Sequence, residues 1–177
     1  MDQTILRREL LRGDLAGRRR TVRPPWAVPA FESLCNGCGE CLAACPEHLL
    51  ARDPQGLPRL EFRRGECTFC GDCRDACHRG ALAGAGTWKV VVGVADDCLA
   101  RRGVLCRSCR ESCPEGALTF ELHPGSTATP RIDLARCNGC GGCVAPCPVD
   151  AIRVRNRPLQ EDDESHEHFR RDRTGAA

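Results

Sequence analysis

The sequence is short of the residues that build an ordinary core: two tryptophans, five phenylalanines, no tyrosine and one methionine in 177 residues. Its 41% hydrophobic share counts 16 cysteines, about one residue in eleven. Without them roughly a third of the chain is apolar, too little for a large core, and small domains in that position are held by disulfides or metals. Long apolar runs are missing as well. The longest, Val90 to Ala95, is interrupted by Gly93 and falls far below the roughly 18 to 20 residues that cross a bilayer, so no membrane span is expected. Charge of one sign is not in excess either, with 26 basic against 24 acidic side chains. Lys89 is the sole lysine, and the preference for arginine reads as coding bias rather than selection for phosphate binding. No Ser-His-Asp set, phosphate loop or open metal position is visible, so the chain is not read as an enzyme.

Arg7 and Arg8 supply one ingredient of a twin-arginine export signal. The apolar stretch that must follow is replaced by Glu9, Arg12, Asp14, Arg18, Arg19 and Arg20. The segment is therefore expected to remain uncleaved and the protein to be cytoplasmic. In a reducing cytoplasm 16 cysteines would not persist as disulfides, and metal is the usual partner.

The thiols fall into four groups: Cys35, Cys38, Cys41 and Cys45; Cys67, Cys70, Cys73 and Cys77; Cys98, Cys106, Cys109 and Cys113; Cys137, Cys140, Cys143 and Cys147. Three of them follow C-x2-C-x2-C-x3-C without deviation, and their second cysteines, at 38, 70, 106 and 140, recur at near-constant intervals. Zinc is usually gripped by two C-x2-C knuckles separated by a longer loop. Three thiols in seven residues suit a cubane instead, and a fourth cysteine followed by proline is the signature of bacterial two-cluster ferredoxins, where it serves the neighbouring cluster. Pro46, Pro114 and Pro148 supply that proline, and His78 replaces it in the second group.

That rule predicts crossed ligand sets. Cys35, Cys38 and Cys41 are expected to join Cys77, and Cys67, Cys70 and Cys73 to join Cys45. Cys137, Cys140 and Cys143 pair with Cys113, and Cys98, Cys106 and Cys109 with Cys147. The third group is irregular: seven residues separate Cys98 from Cys106, and Gly103 stands where the first thiol belongs. Four [4Fe-4S] clusters are expected, or three if that group does not close. His48, His78 and His123 are read as surface or outlying residues, because the thiols already satisfy four sites.

The expected fold class is α+β, with tandem two-cluster ferredoxin-like modules of small hairpins and short helices. Hairpins are predicted where alternating apolar residues flank turn residues, at 49–62 and 117–133, and short helices after the third cysteines, as at Leu42-Ala43-Ala44 and Val144-Ala145. Trp88 and the run Val90 to Val94 read as a core-packing strand linking the halves. The domains are then a basic arm at 1–30, a first module at 31–84, a connecting segment at 85–97, a second module at 98–157 and an acidic, disordered tail at 158–177. Each oxidised cluster with its thiolates adds about 2−, which turns the formal +2 into about −6 and removes the case for nucleic acid. The arm, with seven arginines through Arg23, is the one cationic handle.

Beyond its thiols, the chain resembles the family of the ferredoxin-type protein NapF. The residues that carry this are Arg7-Arg8 with Leu11-Arg12-Gly13, the stretch Arg23-Pro24-Pro25-Trp26, and the odd third group from Cys98 to Cys113. The resemblance spans about residues 5 to 155. It implies a cytoplasmic accessory protein that contacts the molybdenum-containing catalytic subunit of the periplasmic nitrate reductase before export and helps assemble or reduce its iron-sulfur cluster. Two other readings stay open: an electron-transfer subunit linking a dehydrogenase to a quinone or reductase complex, and a zinc-binding interaction protein.

Overall fold

The computed structural model describes residues 21–85, 88, 90–122 and 128–156. The arm before residue 21, His123 and the acidic tail lie outside the described residues. Ten short elements follow one another: α1 (Phe31–Leu34), α2 (Glu40–Ala44), β1 (Leu50–Arg52), β2 (Pro58–Leu60), α3 (Asp72–Asp75), β3 (Val90–Val94), α4 (Ser108–Glu111), β4 (Leu118–Glu121), β5 (Thr129–Ile132) and β6 (Ile152–Asn156). None of the helices is long enough to be stable alone, so packing around the thiols must hold them.

The strands form three antiparallel pairs. The two predicted hairpins are present, β1 with β2 (Leu50 opposite Leu60) and β4 with β5 (Leu118 opposite Ile132). The strand expected between the halves is also present. Its partner is β6, with Val94 opposite Ile152, so β3 and the C-terminal strand close the second half between them. In the first half the corresponding closure is made by two backbone hydrogen bonds, Val28 N–H to Ala81 O at 3.1 Å and Gly84 N–H to Trp26 O at 2.8 Å.

Two small apolar clusters result. The first buries Val22, Phe31, Leu49, Leu50, Leu60, Phe62, Ala81 and Leu82; the second buries Val92, Val94, Ala100, Leu118, Ala151 and Ile152. Val144 and Val154 pack against both. Cysteines are members of each cluster, so the thiols take up part of the role that aromatic residues play in larger cores.

Two local expectations are corrected. The helix expected at Leu42-Ala43-Ala44 is present within α2, but the helices begin one residue before the third cysteines rather than after them, so that α2 contains Cys41, α3 contains Cys73 and α4 contains Cys109. Each of the first two starts right after a left-handed glycine, Gly39 at φ 92° and Gly71 at φ 90°, so the turn between the second and third thiols already begins the helix. Val144-Ala145 forms turns rather than a helix.

The segment assigned to the arm is also partly built into the first half. Arg23 donates to the Asp53 carboxylate at 2.6 Å and to the Pro58 carbonyl at 3.0 Å, with its guanidinium 5.2 Å from the Phe31 ring centroid. The other Asp53 oxygen accepts from the amides of Gln55 and Leu57, both at 2.9 Å, which shapes the β1–β2 turn. Asp53 is the one buried charged side chain among the described residues, and it is fully partnered. Removing it leaves two amides without their acceptor and the largely buried guanidinium with only the Pro58 carbonyl and the exposed Glu32 carboxylate at 3.3 Å, and breaking a buried pair costs about 3 kcal/mol. Asp53→Ala should therefore lower the anaerobic thermal unfolding midpoint clearly, and Asp53→Asn, which retains the amide acceptor, should lower it less. An unchanged midpoint for Asp53→Ala would contradict this role.

Candidate metal centres

The thiol loops are positioned by the hairpins. Arg52, at the end of β1, donates to the Gly56 carbonyl at 2.9 Å and to the Cys38 carbonyl at 3.2 Å, and it also bonds the Gly37 carbonyl. One guanidinium thus fastens the first thiol loop to the first hairpin turn. In both C-x-Gly-C loops that begin with an Asn, that side chain accepts from the amide two residues on: Asn36 from Cys38 at 3.3 Å and Asn138 from Cys140 at 3.0 Å. These are local turns that fix the loop without help from a partner element.

The electrostatic neighbours of the buried thiols reveal how the groups combine. Burial, then Cys35, Cys38 and Cys77, push the Cys41 thiol up to about 11. Cys73 is pushed up to about 12 by burial and by Cys67, Cys45, Cys41 and Cys70. For Cys109 the causes are burial, then Cys98, Cys106 and Cys147, and its thiol reaches about 11. Cys143 reaches about 12 through burial and Cys137, Cys140, Cys109 and Cys113. Each of these buried thiols therefore has beside it the two others of its own motif and the fourth cysteine of the neighbouring motif. Around all four, the neighbours are those that the predicted crossing would bring together.

Three of the crossed sets also surround cavities. Cys35, Cys38, Cys41 and Cys77 line one of about 120 Å³, together with Glu40, His78 and Leu82. Cys45, Cys67, Cys70 and Cys73 line a second, smaller one, and Cys113, Cys137, Cys140 and Cys143 a third. His78 stands 3.5 Å from Glu40 at the rim of the first and is well exposed. His48 is exposed too.

Cys98 reaches its set through a compact double turn. Arg102 N–H bonds the carbonyls of Cys98 and Leu99 at 3.0 and 3.1 Å, and Val104 N–H bonds the Leu99 carbonyl at 2.9 Å. Gly103 sits at φ 87°, a conformation glycine adopts without the Cβ penalty of other residues. The seven intervening residues are thus folded upon themselves, and Cys98 is buried beside Cys109. The chain then leaves this turn through Val104 and Leu105, which are 50% and 80% exposed.

Four buried thiols in one place repel one another as thiolates and are driven toward the neutral form, as the raised values record. A cationic iron-sulfur core relieves both penalties, since it accepts four thiolates and neutralises half their charge. Three of the fours stand around cavities. The donor set and its spacing therefore fit [4Fe-4S] clusters. The backbone contributes as well: the Ala117 amide lies 3.3 Å from Cys113 Sγ and the Ala151 amide 3.2 Å from Cys147 Sγ. Donors to ligand sulfur stabilise the more negative state of a cluster and so raise its potential.

Comparison with known proteins agrees with this geometry. The family model of the 4Fe-4S dicluster domain matches twice, at residues 34–81 and 103–151, so Cys98 lies outside the matched segments. The ferredoxin-type protein NapF of Escherichia coli strain K12 is 37% identical over 149 residues, covering 80% of this chain and 91% of that protein. NapF of Haemophilus influenzae is 38% identical over 144 residues, covering 79% and 82%. The methylamine utilization ferredoxin-type protein MauM of Methylobacillus flagellatus is 33% identical over 174 residues, covering 85% and 74%. The two dicluster matches, set on crossed fours of buried thiols and joined to this breadth of identity, place the chain in the NapF family of ferredoxin-type iron-sulfur proteins.

Proposed function

We propose that the chain is a cytoplasmic polyferredoxin that assists maturation of the catalytic subunit of the periplasmic nitrate reductase, by assembling or reducing that subunit's iron-sulfur cluster before export. Its sixteen cysteines, Cys35, Cys38, Cys41, Cys45, Cys67, Cys70, Cys73, Cys77, Cys98, Cys106, Cys109, Cys113, Cys137, Cys140, Cys143 and Cys147, hold four clusters in the crossed sets described above. The observation that carries this reading is one thiol in each group, Cys41, Cys73, Cys109 and Cys143, that has its three predicted companions as neighbours. No thiol is left over for a nucleophile and no site is a ligand short. Bound clusters supply reversible one-electron carriage, and the protein around them sets when and where the electron leaves.

The partner side of the reading rests on the NapF relationship and on charge. With clusters bound, the body of the protein is acidic, and the arginines before residue 21 are the complementary handle. Arg23 is not available for docking, because Asp53 holds it, and Trp26 lies under the Arg74 guanidinium at 5.0 Å. The docking segment is therefore confined to residues 1–20. The relationship to MauM favours a second reading, an electron-transfer subunit that works in a permanent redox complex rather than during maturation.

Two measurements test these assignments. Cys98→Ser should reduce the iron of anaerobically purified protein from about 16 to about 12 per chain, one cubane's worth; unchanged iron would contradict the assignment of Cys98 as a ligand. Capture of the molybdenum-containing precursor should be lost when residues 1–20 are deleted and retained by the full chain. Equal recovery would overturn docking through the arm.

A further inference from the structure

The two halves meet at a particular pair of thiol loops. The Cys67 N–H donates to the Cys140 carbonyl at 2.8 Å, a backbone bond between the second motif and the fourth. Cys140 is accordingly among the charged neighbours of the Cys67 thiol, alongside Cys45 and Cys70 of its own set. No comparable bond joins the first motif to the third among the backbone pairs described.

The chain segments around this bond approach one another closely. A Cβ on Gly141 would run into the Phe62 ring, and one on Gly142 into Glu66. A Cβ on Gly139 would strike Val90 and come within 3.7 Å of Trp88. Arg63 and Asp150 form an ion pair across the same seam. Phe69 holds φ 56° at the place in its loop where Gly37 and Gly139 stand in theirs. For a residue with a Cβ this costs about 1 kcal/mol or more. What the strained loop achieves is an edge-on contact of Phe69 with Trp88, at 5.5 Å and 73°, while Trp88 also faces Phe62 at 6.1 Å. Trp88 is thus wedged between the second and fourth thiol loops, with its indole N–H buried and without a hydrogen-bond acceptor in the protein.

Within each half the sets are also adjacent. Cys41 is a neighbour of Cys73, linking the first set to the second, and Cys109 is a neighbour of Cys143, linking the third to the fourth. We propose that the four thiol sets form one unbranched electron relay in the order first, second, fourth, third, with the Cys67–Cys140 contact as the crossing between halves. The proposal rests on the iron-sulfur reading of the four sets. The molecule is then a single wire whose ends are the set around the 120 Å³ cavity and the set containing Cys98, rather than two independent two-cluster units on one chain.

Electron balance is simple. A reduced one-electron donor of the iron-sulfur or flavin class gives one electron at one end, and an oxidised one-electron acceptor of the partner takes one at the other. At each hop one site is oxidised by one electron and its neighbour reduced by one; no bond forms or breaks and no proton is required.

The test uses the full chain carrying Cys38→Ala and Cys106→Ala together, which removes a ligand from each end set and leaves the second and fourth sets whole. Purified anaerobically and fully reduced, this variant should retain about 8 iron per chain, and its two remaining EPR signals should be mutually broadened although they belong to different halves. Two narrow, independently saturating signals with that iron present would overturn the relay order. Should the double variant lose all its iron, Cys38→Ala alone gives the same decision: the signal of the second set, deprived of its neighbour within the half, stays broadened if the fourth set lies beside it and becomes narrow if it does not. An unmodified chain that purifies without iron would overturn the iron-sulfur reading itself and the relay with it.

Discussion

The burial of thiols, and with it their mutual repulsion as thiolates, is the constraint around which this molecule is organised. Cys73 and Cys143 are each pushed up to about 12 by burial first and by the thiols around them second. Left alone such a centre would stay protonated and loosely held, because neutral thiols are weak hydrogen-bonding groups. A cationic core reverses the sign of the interaction and turns the least stable part of the interior into the part that binds everything together. The crossing of the fourth cysteine makes this effect long-range. In the proposed ligand sets Cys45 and Cys77 each leave their own motif for the other's set, so that neither motif of the first half is completed without the other, and Cys113 and Cys147 do the same in the second half.

Beyond the thiols, the structure is economical. The apolar clusters hold a few buried side chains apiece, the helices span a single turn or slightly more, and each sheet has two strands. A single buried pair, Arg23 with Asp53, anchors the entry of the chain into the first half. At the far end Asn156 donates to the Thr21 carbonyl at 2.8 Å, so the first and last described segments are fastened to each other. The seam between halves depends on close backbone approach: glycines at 139, 141 and 142 let Phe62, Glu66 and Trp88 come down onto the fourth thiol loop.

Much of this was legible in the residue spacing. Three uninterrupted C-x2-C-x2-C-x3-C motifs, and the proline after three of the fourth cysteines, carry the iron-sulfur assignment and the crossing with it, because ligand spacing is dictated by the size of the core rather than by the rest of the fold. Both hairpins were visible from alternation around Pro54-Gln55-Gly56 and Pro124-Gly125. Four things were not. The partner of the Val90–Val94 strand could not be known, since pairing with Ile152–Asn156 is a contact distant in sequence. The place of the helix starts depended on backbone angles at Gly39 and Gly71 that spacing does not encode. The seam between the second and fourth motifs had a signal in the adjacent Gly141 and Gly142 and in Phe69 occupying a glycine's place, but nothing in one sequence says what such a loop lies against. Arg23 looked like part of a solvated cationic arm because local charge cannot reveal an acid thirty residues away.

The central claim is that the thiols close as four complete fours, with Cys98 included. The measurement that reaches it most directly is joint iron and acid-labile sulfide analysis of the unmodified, anaerobically purified chain. Four cubanes require about 16 iron and about 16 sulfide per chain. Values near 12 of each would remove the third set, and zinc without sulfide would contradict the account altogether.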